Sequence, residues 1–235
     1  MKIIFLNKSQ TEKRIEYKFI ISKSDRNYIL SYLYSNKIFS KYKPRSIHSI
    51  YYDNNYFTCA QENLSGLSNR KKYRLRFYNF SQHSKKLSSI FEIKLKKNNL
   101  GSKIKNKILL SNIINNLFDK ENLKHITKHL TKNDFFEDKI NFNEKLLIEY
   151  YREYFVDHLN KLSITLDSNL IFKDLFLSNK QISVDNLIIL EIKFLEKYRD
   201  YCSELFKNLN ISRSKSSKYL IGFNKLFLQN ILPIY

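Results

Sequence analysis

From Arg70 to Phe77 the chain alternates charge and ring or aliphatic carbon. Arg70, Lys72, Arg74 and Arg76 occupy the even positions, with Tyr73, Leu75 and Phe77 between the later ones. Residues two apart in a strand point to the same face. A strand here therefore aims four cations one way and an apolar surface the other. The same spacing recurs along the chain. Glu16 and Lys18 share a face, as do Glu92 and Lys94, Glu191 and Lys193, and Tyr150 and Arg152. The flanking residues are apolar or aromatic: Tyr17 and Phe19, Ile93 and Leu95, Ile192 and Phe194.

Two arrangements satisfy this pattern. Each strand can turn its charges to solvent and its apolar face to a core. Alternatively, the sheet closes, the charges line the bore, and helices cover the apolar outside. Repetition of the Glu-x-Lys pattern beside the run of four cations favours closure. Charges inside a closed sheet are costly unless paired or bound to counter-charge. A chain of phosphates with one or two divalent cations supplies that compensation. Arginine grips phosphate as a fork and lysine as a point charge. Carboxylates hold Mg²⁺ or Mn²⁺, both of which prefer oxygen.

Composition agrees with a polyanionic partner. Lysine and arginine number 42 against 22 acidic residues, a formal charge of +20. Part of that excess follows a coding bias toward Lys, Asn and Ile, so the placement of the charges carries more than their total. A flat basic sheet studded with aromatics would bind RNA or DNA. The repeated carboxylates argue against it, because they would repel a nucleic-acid backbone. Hydrophobic residues make up 43% of the 235, enough for a sizeable core in one domain. Cys59 and Cys202 form no metal motif or disulfide framework, which points to a reducing, cytoplasmic setting. The apolar start, Met1 to Leu6, is too short for a signal peptide, and no long apolar run predicts a membrane span.

Strands are expected at 13–21, 46–53, 56–63, 70–80, 89–97, 145–155, 161–167 and 187–195. A helix capped by Ser22 or Ser24 is expected to run to about Phe39, with Pro44 breaking the chain beyond it. A polar loop is expected at 81–88 and a turn at Asn98–Gly101. Helical patterns cover about 111–132, where Ile113, Ile114, Leu117 and Phe118 share a face, and then 196–209 and 216–230. The order is that of an α+β domain dominated by antiparallel sheet. His125 and His129 are four apart on a predicted helix, without the glutamate of a zincin motif, and read as a surface pair.

In order and spacing, several motifs resemble the VTC-type polyphosphate polymerases of the triphosphate tunnel metalloenzymes. They are Arg14-Ile-Glu16-Tyr-Lys18-Phe, Ser49-Ile-Tyr51-Tyr52-Asp53, Arg70-x-Lys72-x-Arg74-x-Arg76, Phe91-Glu92-Ile-Lys94, Tyr150-x-Arg152, Leu190-Glu191-Ile-Lys193 and Ser217-Lys218-Tyr219. The resemblance spans about residues 13–228. It implies an antiparallel eight-stranded β-barrel with flanking helices, a single domain over 1–235, and transfer of the terminal phosphoryl group of ATP onto inorganic polyphosphate. It implies Arg74, Arg76, Lys94, Arg152 and Lys218 as catalytic contacts. Lys18, Arg70, Lys72, Lys103, Lys105, Lys193 and Tyr150 would bind phosphate. Glu191 would be the main carboxylate for Mn²⁺ or Mg²⁺, with Glu16 and Glu92 as neighbours that orient the cations or hold a second metal. The partners would be ATP and polyphosphate, with no nucleic acid. Where the family has Arg-x-Thr-x-Asp, this chain has Ser163-Ile-Thr165-Leu-Asp167, with Lys161 on the same face. Lys103, Lys105 and Lys107 compete for one lysine position.

Overall fold

The computed structural model describes residues 1–80, 86–97, 100–111, 116–133, 135–136, 142–214 and 217–228. Its strands are β1 (Lys2–Ser22), β2 (Ile38–Asp53), β3 (Asn69–Tyr78), β4 (Lys86–Lys97), β5 (Leu100–Ser111), β6 (Asn143–Asp157), β7 (Leu162–Asp174), β8 (Gln181–Val184) and β9 (Leu187–Phe194). Its helices are α1 (Arg26–Ser35), α2 (Thr58–Leu64), α3 (Lys120–Lys132), α4 (Arg199–Phe206) and α5 (Lys218–Phe227). The fold is α+β.

The strand order is β6-β2-β3-β4-β5-β1-β9-β7-β8, and β6 also pairs with β7. All strands but β8 therefore close on one another through antiparallel pairs. β8 continues along the second half of β7, where β9 has ended. Closure gives every strand an inner and an outer face, and the alternation in the sequence sorts residues between them.

Two outer surfaces are buried under helices. Phe91, Leu75, Phe77, Ile108 and Leu110 pack beneath Leu123, Ile126 and Leu130 of α3. Ile15, Phe19, Ile164, Leu190 and Ile192 pack beneath Ile29 and Leu33 of α1 and Cys202 of α4. A third cluster joins Leu146, Ile148, Leu170 and Phe172 to Tyr219 and Phe223 of α5. Helix α5 sits so close there that a Cβ on Gly222 would meet Phe172 Cδ1 at 2.5 Å and Leu146 Cδ2 at 2.7 Å. No described helix is long and apolar enough to cross a membrane.

The elements depart from the sequence expectation in several places. Residues 56–63 were expected as a strand, but Thr58–Leu64 is helix α2. Its free amides are taken by side chains. The Asp53 carboxylate accepts from the N–H groups of Cys59 and Ala60, each at 3.0 Å, and Asn54 Oδ1 accepts from those of Tyr56 and Thr58. These local bonds outweigh the strand preference of Tyr-Phe-Thr-Cys. Asp53, the last residue of β2, thus holds the turn into α2. α1 stops at Ser35, because Lys37 takes a left-handed conformation with φ 57°. Pro44 lies inside β2 rather than breaking it. It falls where the register slips between Tyr42 and Arg45, on a stretch paired with β6 alone, so its missing N–H breaks no ladder. β1 begins at Lys2, and β5 and β8 were not anticipated. α3 begins only at Lys120, and Ile113 and Ile114 lie outside the described residues. So do residues 81–85 of the expected polar loop, whose last residues already belong to β4.

Candidate functional site

The inner face gathers charge from six strands and one helix. A single cavity is lined by Glu16 and Lys18 of β1, Lys72, Arg74 and Arg76 of β3, Lys94 of β4 and Lys103 of β5. Tyr150 and Arg152 of β6, Glu191 and Lys193 of β9, and Lys218 of α5 line it as well. Tyr51, Ile189 and Ser217 also line it. Register explains the convergence. Lys18 stands opposite Glu191, Lys72 opposite Lys94, and Lys94 opposite Lys103.

The charges fall into three paired groups. In the first, the Glu16 carboxylate meets Lys94 Nζ at 2.5 Å, Lys18 Nζ at 3.3 Å and Lys193 Nζ at 3.6 Å, and Glu191 meets Lys193 at 2.5 Å. Glu16 and Glu191 are themselves in contact. Burial and the neighbouring Glu191 push the Glu16 carboxyl up, but Lys94 and Lys18 outweigh them and hold it at about 2. Burial likewise opposes ionisation of Glu191, and Lys193 with Lys18 and Lys218 holds it well below the usual carboxylate range.

In the second group Glu92 is clasped by Arg74, whose Nε donates at 2.5 Å, with Arg76 Nη1 at 3.7 Å. Burial raises the Glu92 carboxyl, and Arg74, Arg76 and Lys103 together drive it far below its ordinary value. Arg74 also donates to the Tyr51 hydroxyl at 3.2 Å and Arg76 to that of Tyr150 at 3.1 Å. In the third, Arg152 makes two bonds to Asp167, at 2.5 and 2.6 Å, and Lys218 also pairs with Asp167.

Lys72 and Lys103 stand apart. Lys72 donates to the Ser217 hydroxyl at 2.8 Å and has no carboxylate partner among the described residues. Among the described residues Lys103 has no ion pair either. Burial and then the surrounding cations, Lys18 and Lys94 for Lys72, Lys193 and Arg74 for Lys103, push both ammonium groups well below the usual lysine range. The cavity is thus rich in positive charge that the protein itself leaves uncompensated.

Helix α5 delivers its lysine through a capped start. Ser217 is the N-cap, its hydroxyl accepting from Leu220 N–H at 3.3 Å. Tyr219 stacks on Tyr51 with ring centroids 4.9 Å apart and donates to Asp53 at 2.7 Å. This contact holds the helix N-terminus, with Lys218 in its first turn, against the cavity.

Three predicted residues lie elsewhere. Arg70 sits on the rim, donating to the Leu67 carbonyl of its own turn at 2.5 Å. Lys105 faces Glu92 across β4–β5 and does not line the cavity, so Lys103 is the lysine β5 contributes. Glu92, which the resemblance cast as a carboxylate that orients the cations or holds a second metal, does not line the cavity and anchors Arg74 and Arg76. Lys161 does not replace the family arginine at Ser163: its Nζ lies 4.6 Å from the Tyr201 ring, against α4. Asp167 and Tyr51 were missed as working residues. Each shares a strand face with residues already noted, Thr165 and Ser49, and that alternation was the available signal.

The donor set fits a divalent ion shared with substrate. Two carboxylates in contact, half-buried Glu16 and buried Glu191, offer oxygen ligands, and the buried Thr165 hydroxyl opposite Glu191 has no hydrogen-bond partner among the described residues. No group of three or more metal-binding side chains occurs among the described residues. A hard ion such as Mg²⁺ held by this pair would need further oxygens from substrate or water.

A family model described as the VTC domain matches residues 13–227. No curated protein matches the sequence significantly. Among solved structures, a candidate adenylate cyclase from Vibrio parahaemolyticus aligns with TM-score 0.49 at 12% identity, over 88% of this chain and 97% of that one. A chain of the Schizosaccharomyces pombe Mediator head module aligns with TM-score 0.41 at 8% identity, over 84% and 91%. Likenesses this distant carry no functional information.

Proposed function

The chain belongs to the VTC-domain family, and from that premise we propose that it is a polyphosphate polymerase working in a tunnel-like β-barrel. Its reaction joins a terminal oxygen of polyphosphate to the γ-phosphorus of ATP. The bond from that phosphorus to the β-phosphate oxygen breaks, ADP leaves, and the chain grows by one phosphate.

The observation that carries this reading is the convergence of nine cations and two carboxylates on one cavity. Phosphoryl transfer asks for in-line positioning and for the charge on the transferring oxygens to be offset. Arg74, Arg76 and Arg152 are each fixed by a buried carboxylate, so they meet phosphate without first being ordered. Lys72 and Lys103 bring charge that only substrate neutralises. Lys18, Lys94, Lys193 and Lys218 surround the carboxylate pair. Mn²⁺ or Mg²⁺ held by Glu191 and Glu16 with phosphate oxygens would supply further charge to the transferring group. No side-chain nucleophile is needed, because the acceptor is itself a phosphate oxygen. Use of ATP and two free cysteines fit a cytoplasmic setting.

Incubation of the purified chain with ATP and Mn²⁺, followed by gel separation, tests the proposal. Long polyphosphate chains are expected. Release of orthophosphate alone would mean hydrolysis in the same cavity. Tight RNA binding that tripolyphosphate with metal cannot displace would overturn the tunnel reading.

A further inference from the structure

The two ends of the cavity differ in chemistry. β3 runs from Arg70 at one end to Tyr78 at the other. At the Arg70 end, Arg70 stands opposite Lys96, beside Lys72, so that rim is cationic. The other end is aromatic. There Tyr42 of β2 pairs with Tyr154 of β6, their rings edge-to-face at 5.8 Å. The Arg45 guanidinium lies 5.8 Å from the Tyr42 centroid and 5.6 Å from that of Tyr154.

This cluster is continuous with the site. Arg45 stands opposite Arg152, and Arg152 opposite Asp167. Tyr154 stands opposite Thr165, and Thr165 opposite Glu191. Tyr154 is thus two strand spacings, about 10 Å, from the carboxylate pair. Tyr42 is 51% exposed, and β2 pairs with β3 only from Ile47 onward. An open ring at the end of a phosphate-binding cavity, with an arginine beside it, is a stacking platform for a flat π-system.

We propose that this aromatic mouth holds the base of the nucleoside triphosphate, leaving the cationic rim to the phosphate polymer. The inference rests on the tunnel reading above and gives the tunnel a direction: base at Tyr42, terminal phosphate toward Glu191. Tyr42 is a specificity-determining residue, not a catalytic one, and it has no role in holding inorganic phosphate chains.

Calorimetric titration of the full chain with ATP and with tripolyphosphate, both with Mn²⁺, tests it. Base stacking on an aromatic side chain is commonly lost about tenfold or more on truncation to alanine. Tyr42→Ala is expected to weaken ATP about tenfold and leave tripolyphosphate unchanged. Tyr42→Phe, which keeps the ring, is expected to bind both as wild type does. Unchanged ATP affinity in Tyr42→Ala overturns the proposal, as does an equal loss for both ligands. Wild-type protein that binds neither ligand sinks the tunnel reading itself, and this inference with it.

Discussion

Arg152 and Asp167 face each other across β6 and β7, joined by two hydrogen bonds, and Asp167 carries a second cation, Lys218, on the same carboxylate. Asp167 is fully buried. Burial pushes its carboxyl up, and Arg152 with Lys218 holds it below the ordinary range. One carboxylate thus aims two cations of the cavity contributed by elements distant in sequence. Removing it leaves both cations buried and unpaired. Asp167→Asn is expected to cost about 3–5 kcal/mol of stability, as loss of one partner from a buried ion pair does. Denaturant melts measure that cost. Saturating tripolyphosphate should recover more stability in the variant than it adds to wild type, since phosphate takes the place of the missing charge. Equal gains in both proteins would mean that Arg152 and Lys218 do not reach the ligand.

Glu16 and Glu191 lead to a prediction about metal and acid. Glutamine keeps the shape of Glu191 and removes its charge, so Glu191→Gln is expected to remain folded and to lose metal-dependent turnover by at least a hundredfold. Full activity in that variant would remove Glu191 from the site. The acid limb follows from the depressed carboxyls. A carboxyl held lower in the folded state than its ordinary 4.5 adds stability that is complete above that value and disappears as pH falls through the folded value. For Glu16 the window runs from 4.5 down to about 2. Melting temperature should therefore drop steeply across that range. Glu16→Gln should flatten the drop, and an unchanged slope would assign the acid sensitivity to other carboxylates.

The strands that carry the site were legible because their signal has period two. Glu16, Lys18, Arg74, Lys94, Arg152, Glu191 and Lys193 all reach the cavity that their spacing predicted. The helix 58–64 was not legible. Tyr56, Phe57, Thr58 and Cys59 compose a strand by preference, and only the folded positions of Asp53 and Asn54 reveal the bonds that turn them into a helix. Alternation also says nothing of height along a strand. Lys103 and Lys105 share a face, and the register against β4 alone separates the one that lines the cavity from the one opposite Glu92. For Glu92 the register settles which of its two expected roles the neighbours serve. Its face was right, but its neighbours are two arginines rather than the other carboxylates. The service of Asp167 to Arg152 depends on a cross-strand pairing that no single segment contains.

Lys72 and Lys103 should trade stability against binding. Each is half-buried among cations and has no carboxylate partner among the described residues, and desolvation followed by like charge pushes each ammonium well down. A lysine depressed in this way destabilises the folded state at neutral pH, and the penalty falls as pH rises toward its unfolded value. Lys72→Met and Lys103→Met, which keep the bulk, are each expected to stabilise the ligand-free protein by about 1 kcal/mol. Both should also weaken tripolyphosphate binding about tenfold or more. Thermal melts and titrations read the two effects separately. A variant that loses stability and keeps affinity would place its lysine in the scaffold instead.

Gly222 links the packing of α5 to the site at the helix N-terminus. A methyl group there would overlap both Phe172 and Leu146, whose rigid positions in β7 and β6 leave the helix as the part that moves. Overpacking of this kind costs about 1–3 kcal/mol. Gly222→Ala would gain about 1 kcal/mol of helix propensity in isolation, so a net loss of stability is the mark of the close approach. Displacing α5 also shifts Lys218 from Asp167 and Ser217 from Lys72. Stability and phosphate affinity should therefore fall together in Gly222→Ala, although the residue touches no ligand. Trimming the opposing wall in Gly222→Ala/Phe172→Ala removes the nearer overlap and opens space into which Leu146 can turn, and should return affinity toward wild type even where stability stays low. Failure of that rescue, with the double variant folded, would show that the position of α5 does not set the grip on phosphate.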